Sequence, residues 1–130
     1  MGNPEGNNRP SIATDDKLPL QLINHRLPHA VVITAAGEVD LATSGHLATA
    51  VQNEFDACQG MVVIELSAVT FLSSIGLAVL IEAQHTADRS RQCLRIVVGD
   101  GSPVIRAIAA SGLTDRLSVF RSLDEALAVA

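Results

Sequence analysis

The sequence predicts an α/β domain. It has a mixed, mostly parallel sheet of about five strands, an antiparallel hairpin at the amino-terminal edge, and about four helices. Three observations predict this. Apolar runs rich in β-branched residues recur at Ala30–Ala36, Met61–Leu66 and Cys93–Val98, the pattern of strands buried on both faces. Longer stretches with apolar residues at helical spacing lie between the later runs. The first two strand-like runs are only a few residues apart and pair as a hairpin, whereas runs separated by a helix pair in parallel. The order reads β-β-α-β-α-β-α-β-α.

Residues 1–16 are rich in Asn, Gly, Pro and charge and read as a disordered tail, leaving 17–130 as one domain. Leu18–Ile23 shows partial alternation and reads as an edge strand, with Pro19 near its start. Pro28 and His29 mark a turn before the strand Ala30–Ala36, which Gly37 ends. Glu38-Val39-Asp40 reads as a loop, and Asp40 or Thr43 caps the helix of about 15 residues that follows. Leu47, Val51, Phe55 and Cys58 recur on one face of that helix, and Gly60 stops it.

The stretch Val62–Ala83 is the centre of the chain. The strand Met61–Leu66 leads into a turn, Ser67–Leu72, and then to Ser73-Ser74 before a long apolar-periodic run. Serine in that place reads as a helix cap, and the helix spans about Ser74 to Ser90. The strand Cys93–Val98 follows. Ser102-Pro103 opens a helix over Pro103–Ser111 in the favoured order of cap and first-turn proline, and Gly112 ends it. Leu117–Phe120 is a short last strand. Ser122-Leu123-Asp124-Glu125 is a capping-box pattern opening a terminal helix, Leu123–Val129.

Composition narrows the function. The chain has 130 residues, 48% hydrophobic and 18% charged, so it is globular. Aromatic residues make up 2%, with no Trp or Tyr, which argues against stacking on single-stranded nucleic acid. A net charge of −5 argues against a phosphate-backbone binder. No segment has the apolar length to span a bilayer, and the first residues lack the features of a signal peptide, so a cytoplasmic protein with no membrane partner is expected. Cys58 and Cys93 form no disulfide framework in that setting, although a redox role for the pair stays open.

In a mostly parallel sheet, functional loops gather at the carboxyl ends of the strands. Here these are Gly37–Asp40, Val69–Ser74 and Gly99–Ser102, each leading into a helix N-terminus that favours an anion. Ser74 and Ser102 also fit plain caps. No nucleotide-binding glycine motif is present, the four histidines fall at no metal spacing, and no nucleophile–base pair is suggested. We therefore expect no enzyme, no cofactor and no metal.

The motifs resemble those of the STAS domain, in particular the small bacterial anti-sigma factor antagonists, over about Leu20 to Leu127. Gly37-Glu38-Val39-Asp40 is similar to the family's G-E-[LIV]-D loop. Val63-Ile64-Glu65-Leu66-Ser67, Val69-Thr70-Phe71-Leu72 and Gly76-Leu77 resemble its strand, its F-[LMI]-D-S-[ST]-G-L loop and its helix start. Ser102–Arg106, Ser111-Gly112-Leu113 and Ser122–Leu127 resemble its later signatures. The resemblance implies a protein that binds an anti-sigma factor with a kinase-type ATP-binding fold and so releases a sigma factor. It makes Glu38, Asp40, Thr70, Phe71, Leu72, Ser73, Ser74, Ile75 and Gly76 the expected partner-binding residues of a monomer or weak dimer. In regulated members a Ser or Thr directly before the motif's glycine is phosphorylated. That position is Ile75 here, and the preceding acid is Ser73. Regulation is then absent, redox-based, or moved to Ser74, Ser73 or Thr70, with Ser74 preferred. Ile75 either enlarges an apolar patch beside Phe71 and Leu72 or turns inward, according to helix phase. The alternative is a STAS module that binds a small ligand or nucleotide, or a subunit of a larger sensory or transport assembly.

Overall fold

A computed structural model describes residues 19–57 and 60–128. The expected tail, Leu18, Cys58 and Val129 lie outside the described residues. Five strands form one sheet in the order β1-β2-β3-β4-β5. β1 (Leu20–Leu27) pairs antiparallel with β2 (Ala30–Val39). β2 pairs parallel with β3 (Met61–Leu72), β3 with β4 (Cys93–Val97), and β4 with β5 (Val119–Phe120). The helices are α1 (Ser44–Ala57), α2 (Ser74–Ser90), α3 (Pro103–Ser111) and α4 (Leu123–Ala128), with a 3-10 turn over Thr114–Arg116.

Alternation along the strands divides the core. Val31, Ile33 and Ala35 of β2, with Val62, Ile64 and Leu66 of β3 and Leu94 and Ile96 of β4, pack in one cluster with the apolar stripes of α1, α2 and α3. The intervening Val32, Val63 and Val97 pack on the other face with Ala126 and Leu123 of α4. Side chains such as Ile33, Ile64, Leu80 and Ile96 are fully buried, each worth about 1.5–3 kcal/mol in apolar transfer. Arg95 holds α4 down. Its guanidinium donates to the Ala126 carbonyl at 2.6 Å and lies 5.2 Å from the centre of the Phe120 ring.

All five strands differ in extent from the sequence reading: β1, β2 and β3 run further, and β4 and β5 are shorter. β1 continues to Leu27 because Asn24 and Arg26, polar by composition, meet a buried carboxylate. Asn24 Nδ2 and Arg26 Nη2 both donate to Glu54 Oε2 on α1, and Arg26 Nη1 lies 3.0 Å from Glu54 Oε1. β2 does not stop at Gly37. It passes through Gly37 at φ +117 with a register shift, so Glu38 and Val39 belong to the strand rather than to a loop. β3 runs on to Leu72, which puts Thr70, Phe71 and Leu72 on a strand rather than in a turn. β4 ends at Val97, but Val98 still donates its N–H to the Phe120 carbonyl at 2.8 Å. β5 is only Val119–Phe120, because the 3-10 turn takes up Thr114–Arg116 and leaves Leu117 buried outside the ladder.

The caps also sort themselves. α2 has the expected bounds, but its cap is Ser73, whose Oγ accepts from Gly76 N at 3.1 Å, and Ser74 is the first helical residue. Ser102 caps α3 by accepting from Val104 N at 3.1 Å, and Gly112 ends it at φ +77. At α4, Ser122 Oγ accepts from Glu125 N, while Glu125 Oε1 reaches one residue further back, to Arg121 N.

Candidate functional site

The carboxyl ends of β2 and β3 are zipped together beside the N-terminus of α2. Gly37 pairs with Val69, Glu38 with Phe71, and Val39 with Leu72. Thr70 Oγ1 donates to the Gly37 carbonyl at 3.2 Å, and Ser73 N donates to the Val39 carbonyl at 2.9 Å. Glu38 N donates to the Pro19 carbonyl at 2.7 Å, and Thr43 Oγ1 to the Glu38 carbonyl at 2.7 Å. Glycine at position 76 lets α2 approach. A Cβ there would lie 2.7 Å from both Leu72 Cδ1 and Val39 Cγ1.

This geometry separates the expected contact residues by role. Leu72 and Gly76 are buried and support the surface from below. Asp40 is half-buried and its carboxylate is occupied. Oδ1 accepts from Ala42 N at 3.0 Å and Thr43 N at 3.1 Å. Asp40 and Thr43 therefore build the turn into α1 together. Glu38, Thr70, Phe71, Ser74 and Ile75 are exposed, and Ser73 is half-buried at its cap.

Helix phase decides the orientation of Ile75. Gly76, Leu77 and Leu80 face the core, so Ile75 turns outward and is 41% exposed. Phe71 is 49% exposed and Leu41, in the turn after Asp40, 76%. The same edge thus presents Leu41, Phe71 and Ile75 to solvent beside the carboxylate of Glu38. Sequence reasoning missed Leu41. Its signal was an apolar residue in a cap turn, where a polar one costs nothing to expose.

The three hydroxyls differ. Ser73 caps the helix and Thr70 is bonded to Gly37. Ser74 is exposed, and among the described residues its hydroxyl has no partner. The third loop faces the same way, but Asp100 is ion-paired with Arg121 and Ser102 is buried as a cap. Cys93 is half-buried at the start of β4, at the opposite edge from this site. Among the described residues no group of His, Cys, Asp and Glu is placed to hold a metal ion, and no helix is long and apolar enough to cross a membrane.

The family model described as the STAS domain matches residues 21–126. The chain belongs to the STAS family. It is 31% identical over 117 residues to the protein named anti-sigma-F factor antagonist RsfB in two strains of Mycobacterium tuberculosis, a match spanning 89% of this chain and 92% of the relative. A crystal structure of an anti-sigma factor antagonist from Mycobacterium paratuberculosis superimposes with a TM-score of 0.72 at 25% identity, covering 84% of this chain and 92% of that one. SpoIIAA, a Bacillus cell fate determinant, superimposes in its unphosphorylated form with a TM-score of 0.64 over 85% of this chain and 98% of its own, at 14% identity, which is likeness of fold alone. The strand order and the antiparallel first pair are thus those of a STAS domain, and the Gly37–Asp40 and Thr70–Gly76 segments meet at one edge of it.

Proposed function

We propose that this STAS domain is an anti-sigma factor antagonist that acts in the cytoplasm by occupying an anti-sigma factor and so freeing a sigma factor for transcription. The observation that carries the reading is the likeness to RsfB across 89% of the chain. The partner has a kinase-type ATP-binding fold, and the antagonist works by binding rather than by catalysis. The exposed Leu41, Phe71 and Ile75 supply the apolar centre of the docking surface, and Glu38 supplies its charge. A cluster of large apolar side chains ringed by polar groups is the usual anatomy of an interface centre.

The test is calorimetric titration of the purified chain against the anti-sigma factors of its own genome, with sigma release followed in parallel. One of them binds, and Phe71→Asp weakens that binding at least about a hundredfold, because it removes a central aromatic contact and forces a charge into a dry interface. Unfolding of the variant stays near that of the parent, since Phe71 is half exposed. No binding to any of them would sink the reading.

Regulation follows from the free hydroxyl. Ser74 is the phosphoacceptor, taking the γ-phosphoryl group of ATP from the partner or another kinase. On the first turn of α2 the dianion is tolerated in the free domain by the helix N-terminus, while beside Ile75 it disfavours apolar docking. Incubation with ATP and the kinase gives one phosphate, mapped by mass spectrometry to Ser74 and absent from Ser74→Ala. Phosphate on Ser73 or Thr70 instead, or on none of the three, would discard this assignment.

A further inference from the structure

Thr43 sits where the turn after β2 enters α1, and it is only 4% exposed. Its hydroxyl is fully used. Oγ1 accepts from Asp40 N at 2.9 Å and donates to the Glu38 carbonyl at 2.7 Å. Asp40 returns the bond, its Oδ1 accepting from Thr43 N at 3.1 Å, so the two residues make the reciprocal arrangement of a capping box. The glutamate usual at the far end of such a box only accepts. Threonine also donates, and that second bond ties the turn to the end of β2. The strand end is secured from other sides by the bonds from Glu38 N to the Pro19 carbonyl and from Ser73 N to the Val39 carbonyl. Leu41 lies inside this clasp. Asp40 before it is held by Thr43 Oγ1, and Ala42 after it donates to Asp40 Oδ1 at 3.0 Å. The Leu41 side chain is nevertheless 76% exposed, the most of any large apolar side chain among the described residues.

We propose that Thr43 is a positioning residue of the docking surface: its hydroxyl fixes the turn that presents Leu41 to an apolar pocket of the anti-sigma factor. The proposal rests on the partner reading above and deepens it. Thr43 is buried, so it acts through Leu41 and not by touching the partner. An exposed leucine regains the free energy of burial only when a partner covers it. That gain is reduced by the cost of ordering the backbone and side chain that carry it. Here the residues on both sides of Leu41 are fixed before the partner arrives, so little remains to be ordered. Without the Thr43 hydroxyl, Asp40 N and the Glu38 carbonyl lose this partner, and the turn gains conformations that docking must then remove. The same hydroxyl holds the backbone of Glu38, so one side chain sets the apolar anchor relative to the charge of the surface.

The test uses the full chain and the anti-sigma factor found by titration, at a temperature where circular dichroism shows each variant folded. Thr43→Ser keeps both bonds and binds like the parent. Thr43→Val and Thr43→Ala remove the hydroxyl, and affinity falls about tenfold in each. Leu41→Ala weakens binding about tenfold in the parent but less than about threefold when Thr43 is already Val or Ala, because a loose turn no longer delivers the anchor. The backbone order parameter of Leu41 in the free protein falls in the same two variants. Ser122→Ala removes the cap of α4 on the other face of the sheet, and it lowers the unfolding midpoint without changing affinity. Additive losses from Thr43→Val and Leu41→Ala would make Thr43 a cap alone and overturn the proposal. Parent-like affinity in Thr43→Val and Thr43→Ala would do the same, and both results leave the partner reading intact. Failure of every anti-sigma factor to bind the parent would remove that reading and this one together.

Discussion

Gly37→Ala is expected to destabilise the domain by about 3 kcal/mol or more and to weaken partner binding with it. Two penalties add. Gly37 sits at φ +117, where a side chain is strained whatever the space around it. Its Cβ would also stand 2.1 Å from the Pro19 carbonyl oxygen, 3.0 Å from that carbonyl carbon and 3.3 Å from Leu20 Cα. All three are backbone atoms, so no rotamer change relieves the clash. Relief requires the start of β1 to move away, and this breaks the bond from Glu38 N to the Pro19 carbonyl. Glu38 then loses the support that aims it. Gly101→Ala is the control. Gly101 also has positive φ, at +75, but a Cβ there meets nothing within 4 Å, so it costs about 1 kcal/mol. Urea unfolding of both variants separates the two penalties. Equal losses would show that strain alone, and not the Pro19 contact, fixes glycine at 37.

The same region shows what a sequence can and cannot reveal. The bounds of α2, the glycine stop of α3 and the order of elements were legible, because each has a local signal in spacing or capping. The extension of β3 to Leu72 was not. A strand normally alternates with period two, but from Leu66 onward the buried positions are Leu66, Val69 and Leu72, a period of three. Register shifts against β2, between Thr34 and Ala36 and between Gly37 and Glu38, rotate the strand as it leaves the sheet and erase the alternation. The segment therefore reads as a polar turn. Ser73 and Ser74 satisfy the same capping pattern, so only the phase set by Leu77 and Leu80 against the core chooses between them. That choice also turns Ile75 outward, which links the cap to the candidate interface. The polar end of β1 was hidden for another reason. The group that makes Asn24 and Arg26 useful there is Glu54, far along the chain on α1, and no local pattern points to it.

That cluster carries the other large effect. Arg26→Ala is expected to cost about 3 kcal/mol of stability, the lower end for breaking a buried ion pair. Glu54 is 3% exposed, and without Arg26 its carboxylate keeps, among the described residues, only the Asn24 amide as donor. Glu54 Oε1 already accepts no aligned hydrogen bond, although Arg26 Nη1 lies 3.0 Å away, so it has nothing in reserve. The guanidinium is over half exposed, and water reaching it screens the pair and keeps the cost from rising higher. Replacing both partners tests the cause. Arg26→Met with Glu54→Leu removes the buried charge together with its counter-ion, and stability returns to within about 1 kcal/mol of the parent or exceeds it. Urea unfolding of the two single variants and the double one gives the coupling directly. A double variant as unstable as the sum of the singles would mean that the pair is not coupled and that packing alone fixes β1. Hydrogen exchange locates the damage. Amides of β2 that pair with Asn24–Leu27 open first in Arg26→Ala, because the clasp sits at that end of the hairpin. The other end, where Leu20 pairs with Gly37 and Pro19 holds Glu38, keeps its own bonds. Affinity for the anti-sigma factor therefore changes far less in Arg26→Ala than in Gly37→Ala, although the stabilities of the two variants fall by similar amounts.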